Sequence, residues 1–230
     1  MDYSYIENNY RALLREIDEV ASASHGQRVT LVAVTKSGSD DELLALCRIG
    51  VTDVGENRPQ ELKRRADLMR QAGFVPRLHE IGNLQKNKVK LIAEDVALIQ
   101  SVDSLSLAEK ISEVAISIGR KIPVLIEINS AKEAEKGGAI PEEAEELFLK
   151  MRELEGISVR GIMTMGPVCE DVENIRPYFK LTKNIFDKIK NAHGFDGEPI
   201  LSMGMSDSYR IAIEEGATLV RVGRRLFIKS

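Results

Sequence analysis

The sequence lacks the features that mark a membrane, secreted or nucleic-acid-binding protein. No apolar run approaches the length of a membrane span, and the segment MDYSYIENNYRALLREIDEV has no uninterrupted apolar stretch of the signal-peptide type. The 32 basic residues are outnumbered by 36 acidic residues, so the concentrated positive charge that phosphate-backbone binding requires is missing. We therefore expect a cytoplasmic protein whose main partner is neither a membrane nor a nucleic acid.

Cysteine is also scarce. Cys47 and Cys169 are far apart and form no C-x-x-C or other clustered spacing. Two such residues are more often ordinary reduced thiols than a disulfide or a pair of metal ligands. The sequence therefore predicts neither a disulfide framework nor a metal site.

Linkers are absent too, since no Pro/Gly/Ser-rich or low-complexity segment interrupts the chain. A chain of 230 residues with 43% hydrophobic residues is large enough to bury one substantial core. Short β-type runs alternate with amphipathic helical patterns from end to end, which favours the α/β class. We predict a single domain over residues 1–230.

The β-type runs are eight in number, and runs such as LVAV and VLIEI are apolar on both faces, as in a covered parallel sheet. Eight runs spaced roughly 27 residues apart predict a single (β/α)8 TIM barrel. An open doubly wound sheet is the alternative, but its usual G-x-G-x-x-G turn is absent. The predicted strands are 30–36, 53–56, 77–82, 97–102, 123–129, 158–165, 198–203 and 218–223, and the predicted helices include 2–22, 141–153, 171–192 and 206–215.

Lys36 ends the first predicted strand, and the reactive groups of this fold lie at the carboxyl ends of strands. Strand alternation places Lys36 on the face of Val34, Val32 and Thr30, so we expect its amine to project over an apolar floor. Desolvation favours the neutral amine, which is the form that attacks an aldehyde to give an imine. The alternative is a solvated lysine just beyond the strand.

The loops after strands seven and eight form the recurrent phosphate site of this fold. Ser206, in LSMGMSDSYRIAI, precedes a helical pattern and is predicted to cap that helix, with backbone N–H groups facing the opening. Gly223, in TLVRVGRR, is predicted to let the backbone approach a ligand closely. A plain helix cap and an ordinary turn glycine are the alternatives.

Further polar residues lie near the predicted strand ends. Arg221 shares a strand face with Gly223, so a permanent cation is directed toward the ligand unless it forms a structural salt bridge. If the ligand contains a pyridine ring, Arg221 beside the ring nitrogen would keep that nitrogen unprotonated and weaken the ring as an electron sink. His79 is predicted to be a satisfied core imidazole in preference to a general acid or base. Asn57 and Asn129 supply neutral groups that could orient a ring hydroxyl.

With these residues in view, the sequence resembles the pyridoxal phosphate homeostasis protein family, the small barrel proteins related to the N-terminal domain of alanine racemase. The likeness covers almost the whole chain, and its motifs occur in the same order. The motifs are AVTKS around Lys36, GENRPQE (55–61), HEIGNLQKNK (79–88), the spaced Asn129, Glu133, Lys136 and Gly138, GIMTMGP (161–167), LSMGMSD (201–207) and VRVG (220–223).

The resemblance implies a barrel of PLP fold type III that binds pyridoxal 5'-phosphate (PLP) as a covalent aldimine on Lys36. It also implies that Ser206, with the backbone around Gly223 and Arg224, holds the phosphate of the cofactor. No metal is implied.

The resemblance further implies that Arg221 lies near the pyridine nitrogen and Asn57 at the ring side. Two segments depart from the family pattern. GMSDSYR replaces the more usual acidic pair after GMS, and VGRRLFIKS replaces the common FG ending. We therefore expect Arg224 and Arg225 to reshape the phosphate end or to add positive charge there.

The function that the resemblance implies is storage, buffering or delivery of PLP by a monomeric protein, with PLP-dependent apoenzymes as candidate recipients and effects on amino-acid and keto-acid metabolism. Related racemases carry a second, β-rich domain with a catalytic tyrosine, which we expect this chain to lack because it ends seven residues after Gly223. Two alternatives stay open. One is a weak PLP-dependent amino-acid racemase that uses Lys36 as base, and the other is a Schiff-base aldolase that acts on a phosphorylated sugar without PLP.

Overall fold

The computed structural model describes residues 2–133 and 137–229. Eight parallel strands form a closed barrel in chain order, and the last strand pairs with the first. The predicted (β/α)8 barrel is therefore confirmed. The strands are β1 (Thr30–Val34), β2 (Asp53–Glu56), β3 (Arg77–Glu80), β4 (Val96–Val102), β5 (Ile122–Glu127), β6 (Ile157–Met163), β7 (Ile200–Ser202) and β8 (Leu219–Val222).

Helices connect the strands and cover the outside of the barrel. The helices are α1 (Ser4–Ser24), α2 (Asp40–Arg48), α3 (Pro59–Gln71), α4 (Val89–Ile92), α5 (Leu105–Ser117), α6 (Ala144–Met151), α7 (Arg176–His193) and α8 (Tyr209–Glu214). Short 3₁₀ turns precede α4, α6 and α7, so the helices predicted at 141–153 and 171–192 each begin as a 3₁₀ turn. Over the described ranges, no helix is both long and apolar enough to cross a membrane.

Alternation along the strands divides the buried side chains into two layers. In β1, Leu31 and Ala33 belong to the large core between sheet and helices, whereas Val32 points into the barrel. The apolar part of the barrel interior is a small cluster of Val32, Leu98, Leu125, Met163 and Leu219. This separation leaves room for polar side chains inside the barrel above and beside that cluster.

Several strands end earlier than the sequence predicts. The strand predicted at 30–36 ends at Val34, because β1 pairs with the four-residue strand β2 only through Ala33 and Val34. The Gly38 N–H then bonds the Thr35 carbonyl oxygen at 2.9 Å, which turns the backbone. Lys36 therefore lies on a turn, and its assignment to the strand is wrong.

Both cysteines are free thiols, with Cys47 buried and Cys169 half-buried, as the sequence predicts. Within residues 2–133 and 137–229, no group of three or more side chains is arranged to hold a metal ion.

Candidate functional site

The turn that carries Lys36 is fixed by buried charges. The guanidinium of Arg65 donates to the carbonyl oxygens of Thr35 at 2.6 Å and of Gly38 at 2.9 Å, one on each side of Lys36. Arg65 also pairs with the buried carboxylate of Glu56 at 2.9 Å, and the Thr35 hydroxyl donates to the same carboxylate. Because these groups are buried, they hold the backbone around Lys36 in one arrangement.

Two further contacts hold the same turn from outside. Ser39 and Glu42 form a capping box at the start of α2, in which the Ser39 N–H donates to the Glu42 carboxylate at 2.7 Å. A Cβ atom at Gly38 would lie 2.6 Å from the ring of Phe227, so the segment after β8 packs directly on this turn. Contacts from α2 and from the segment after β8 thus support this turn.

The side chain of Lys36 is exposed. The sequence argument placed its amine over an apolar floor on the face of Val32 and Val34, and this placement is wrong because the strand ends at Val34. Burial by the protein therefore does not remove water from the amine.

The loops after β7 and β8 contact each other through Ser206. The Gly223 N–H donates to the Ser206 hydroxyl oxygen at 3.3 Å. Helix α8 begins at Tyr209 with Ser208 at its N-cap, so the prediction that Ser206 caps this helix is wrong. The Ser206 hydroxyl is directed toward the neighbouring loop, where a hydroxyl and a backbone N–H now lie side by side.

Gly223 is required by strand β1. A Cβ atom there would lie 2.8 Å from the carbonyl oxygen of Val34, and the Gly223 φ of −123° is open to any residue. The sequence assigned this glycine to the close approach of a ligand, whereas the structure shows the close approach of another strand. The end of β8 is thereby held against the end of β1, two residues before Lys36.

On the outside of the barrel, one carboxylate of helix α1 binds residues that follow the loops after β7 and β8. Glu16 accepts hydrogen bonds from Arg225 at 2.8 and 2.9 Å, from Arg210 at 2.7 Å and from the Tyr209 hydroxyl. The bonds from Arg225 are the main cause that lowers the pKa of Glu16 to about 2. Tyr209 and Arg210 follow the β7 loop and Arg225 follows the β8 loop, so Glu16 anchors both.

Arg224, the neighbour of Arg225 in the sequence, is also paired with an acid. Arg224 pairs with Asp207 across the two loops, and both side chains are about 70% exposed (70% and 72%). The expected surplus of positive charge is therefore not what the structure shows, because Arg225 is paired with Glu16 and Arg224 with Asp207.

Arg221 points into the barrel, as strand alternation predicts. It donates to the Ser202 hydroxyl and, at 2.9 Å, to the Thr164 carbonyl oxygen. Burial lowers the pKa of Arg221 to about 10, against the raising effect of the Glu127 carboxylate. Burial likewise raises the pKa of Glu127 to about 7, with Asp103 adding to the rise and Arg221 opposing it. A buried cation with an acid beside it thus lies beneath the mouth.

The two asparagines at the rim differ. Asn57, just after β2, is half-buried. Asn129 closes its own loop, with its Nδ2 donating to the Glu133 carbonyl oxygen at 2.8 Å and its Oδ1 accepting from the Glu133 N–H at 3.1 Å. Asn57 is therefore the better candidate for a ring-side contact. Lys136, which belongs to the same sequence motif as Asn129, lies outside the described residues.

His79 lies inside the barrel with both ring nitrogens engaged. Its Nε2 is 2.9 Å from Asp53 Oδ1, and its Nδ1 is 2.9 Å from the Gln100 amide nitrogen. This geometry is that of the satisfied core imidazole that the sequence favours.

The closed barrel brings the predicted site residues together on four adjoining strand ends. Strand β1 pairs with β2 on one side and with β8 on the other, and β8 pairs with β7. Along this arc, from β7 to β2, lie Ser206, then Arg221, Gly223 and Arg224, then Lys36, then Asn57.

The family model of the alanine racemase N-terminal domain matches residues 8–230. The pyridoxal phosphate homeostasis protein of Aquifex aeolicus is 38% identical over 197 residues, which cover 86% of this chain and 85% of that protein. The chain belongs to the pyridoxal phosphate homeostasis protein family.

Another family member and a solved structure resemble the chain over nearly their whole length. The pyridoxal phosphate homeostasis protein of Helicobacter pylori strain 26695 is 37% identical, with 94% of this chain and 95% of that protein covered. The structure of PipY from Synechococcus elongatus with PLP bound superimposes with a TM-score of 0.79 at 27% identity, covering 92% of this chain and all of that one. The resemblance stated from the sequence motifs is confirmed.

Sequence reasoning missed the residues that support the candidate site. Glu127 and Gln100 are single polar residues within the apolar runs VLIEI and ALIQSV, and strand alternation could have placed both inside the barrel. Glu56 was quoted within a motif without a role. Arg65 gave no signal, because it lies in the highly charged helix PQELKRRADLMRQ, where most such residues are solvated.

Proposed function

We propose that this protein binds PLP at the carboxyl mouth of its barrel and stores, buffers or delivers it. The observation that carries the proposal is the arc of four adjoining strand ends, along which an amine, a buried guanidinium and a hydroxyl beside a backbone N–H follow one another. In this proposal the amine binds the aldehyde of PLP, the guanidinium faces the ring nitrogen, and the hydroxyl and backbone N–H bind the phosphate. The PLP-bound structure of PipY, which shares this fold, supports the assignment.

The donors at the mouth fit this cofactor. The aldehyde of bound PLP supplies reversible bond formation with a primary amine, and Lys36 presents such an amine on a fixed turn. Ser206 and the Gly223 N–H are donors that a phosphate can take over from their present mutual bond, and Arg224, which is paired with Asp207, follows on the same loop. Asn57 lies where it can contact the ring side.

Cofactor handling fits these residues better than turnover does. Arg221 is a permanent cation, and beside the ring nitrogen it disfavours protonation there and so weakens carbanion stabilisation. The exposure of Lys36 suits exchange of the cofactor with solvent or another protein. The names of the reported relatives also favour this function over a sugar aldolase without PLP. We further propose a cytoplasmic monomer whose single domain spans residues 1–230.

The first experiment is the visible absorption spectrum of purified protein with added PLP, compared with Lys36→Ala. Lys86→Ala is the matched control, because Lys86 is an exposed lysine after β3. We expect a band that Lys36→Ala abolishes and Lys86→Ala retains, with borohydride fixing the cofactor on the peptide that contains Lys36. A wild-type protein without this band would overturn the proposal.

Delivery and turnover are separated by two further measurements. We expect the loaded protein to reactivate a PLP-dependent apoenzyme faster than its cofactor appears in a trap for free PLP. Exchange of an amino-acid Cα hydrogen with solvent deuterium that depends on Lys36 would instead establish the racemase alternative. Sedimentation equilibrium tests the monomer.

A further inference from the structure

Five buried polar side chains form a continuous line inside the barrel. Barrel interiors of this fold are usually packed with branched apolar side chains. Here strands β2, β3, β4, β7 and β8 each contribute one polar residue, and none is more than 4% exposed. The interior network consists of Asp53, His79, Gln100, Ser202 and Arg221.

Each member of the interior network is hydrogen-bonded to the next. Arg221 donates to the Ser202 hydroxyl oxygen, and that hydroxyl lies 2.6 Å from the Gln100 carbonyl oxygen. The Gln100 amide nitrogen lies 2.9 Å from His79 Nδ1, and His79 Nε2 lies 2.9 Å from Asp53 Oδ1. The network thus runs from the amino end of β2 to the cation beneath the carboxyl mouth.

The two ends of the network, together with the orientation of the Gln100 amide, fix the direction of every bond. A guanidinium can only donate, so Ser202 accepts from Arg221 and passes its own hydrogen to the Gln100 carbonyl oxygen. The Gln100 NH₂ group then faces His79, whose Nδ1 must be unprotonated in order to accept. The proton of the ring is therefore on Nε2 and is donated to Asp53.

The far end of the network is kept as an ionised acceptor. Arg77 and the Thr52 hydroxyl donate to Asp53 at 2.7 and 2.8 Å. Burial opposes ionisation of Asp53, but the hydrogen bonds from His79, Arg77 and Thr52 outweigh it and lower its pKa to about 2. All donors in the network consequently point away from Arg221 and toward a carboxylate.

Stability alone does not require this arrangement, because well-packed apolar residues often replace buried polar groups without loss. What the network achieves is orientation, since two of the five N–H donors of Arg221 are fixed by Ser202 and Thr164. We propose that Asp53, His79 and Gln100 are positioning residues that act through Ser202 to hold the Arg221 guanidinium in one orientation toward the ring nitrogen of PLP. This inference rests on the proposed function.

The first test requires no cofactor. The chain contains three histidines, so long-range ¹H–¹⁵N spectra resolve the imidazole of His79, assigned by its loss in His79→Gln. We expect the neutral Nε2–H tautomer in wild-type protein. In Gln100→Glu, a substitution of the same shape, a carboxylate faces Nδ1 and can only accept, so His79 becomes doubly protonated. The control is Gln71→Glu at the exposed end of α3.

A wild-type His79 that is the Nδ1–H tautomer, or a His79 unchanged in Gln100→Glu, would overturn the interior network. The second test uses the Lys36-dependent band of bound PLP. Because Gln100→Glu preserves volume, a change in the pH profile of the band does not arise from lost packing. A positioning role shifts its midpoint by about one pH unit and weakens PLP binding by about tenfold, the order expected for one charge-assisted hydrogen bond.

The outcomes separate this inference from the proposed function. A wild-type band with the same pH profile and affinity in Gln100→Glu would overturn the positioning role and leave PLP binding intact. No Lys36-dependent band in wild-type protein would overturn both. If Gln100→Glu does not fold, Ser202→Ala removes the one hydroxyl that joins Arg221 to Gln100, and the same weakening and shift of the band are expected.

Discussion

The two ends of the candidate site are held in place by ion pairs that differ in their exposure to solvent. The turn that carries Lys36 is bound by Arg65 and Glu56, whose side chains are 6% and 1% exposed. The phosphate end is held by Glu16 and by the Arg224–Asp207 pair, which are partly or largely open to water. One end therefore depends on a buried pair and the other on solvated pairs.

The difference has consequences for stability and adaptability. Removing one partner of a buried ion pair leaves an uncompensated charge, whereas exposed pairs contribute little and are weakened by salt. The lysine turn is accordingly preorganised and intolerant of change. The loops after β7 and β8 can adjust to an incoming anion at small cost, which suits the proposed uptake and release of a phosphate.

Arg65→Met removes the buried ion pair that supports the Lys36 turn, and we expect it to have the largest effect on stability. It leaves the Glu56 carboxylate without its cation and removes one donor from each of two carbonyl oxygens, so we expect a loss of about 3–5 kcal/mol in the free energy of unfolding. Urea unfolding measures it. Arg64→Met is the matched control, because the neighbouring Arg64 forms exposed pairs and its loss costs about 1 kcal/mol or less. Equal losses in the two variants would contradict the comparison.

Glu80→Gln tests a second buried acid beside Glu56. Burial raises the pKa of Glu80 to about 8, so the folded protein retains a proton that the unfolded chain releases above its ordinary value of 4.5. Wild-type stability therefore falls as pH rises from about 4.5 to 8, by up to ~1.4 kcal/mol per pH unit. We expect the free energy of unfolding of the neutral glutamine variant to rise relative to that of wild type between pH 5 and pH 9. A constant difference, as expected for the exposed Glu94→Gln, would refute this.

Glu16→Gln probes the half-exposed anchor of the phosphate end. Loss of its charge-assisted bonds to Arg225 and Arg210 is expected to cost about 1–2 kcal/mol at pH 7. The pKa of Glu16 is lowered from 4.5 to about 2, so its contribution is present above pH 4.5 and is lost as pH falls toward 2. Thermal unfolding of the two proteins should therefore converge in acid. Glu19→Gln, on the exposed side of α1, is the control.

Asp207→Asn gives the smallest expected change, because it removes one partner of an exposed ion pair. Loss of the Arg224 pair should alter the free energy of unfolding by less than about 0.5 kcal/mol. Removal of a negative charge beside the proposed phosphate site should strengthen PLP binding by about twofold to threefold at low salt, and the gain should vanish as salt screens it. Titration at two salt concentrations, with the exposed Asp18→Asn as control, measures both effects.

Much of the fold could be predicted from the sequence because parallel strands under helices are apolar on both faces and leave a recognisable rhythm. The eight strands were found in order, although β1, β3, β5, β6, β7 and β8 end one to two residues earlier than predicted. Strand ends depend on where the neighbouring strand stops pairing, and one strand carries no information about its neighbour's length.

The sequence by itself determined the barrel, the family and the positions along the chain that reach its mouth, because periodicity and motifs are local. Only the tertiary structure decided that Lys36 is exposed, that Ser206 bonds Gly223, and that Arg221 ends a buried network starting at Asp53. These contacts join residues from different strands. Their geometry follows from barrel closure and register, which no single segment of sequence encodes.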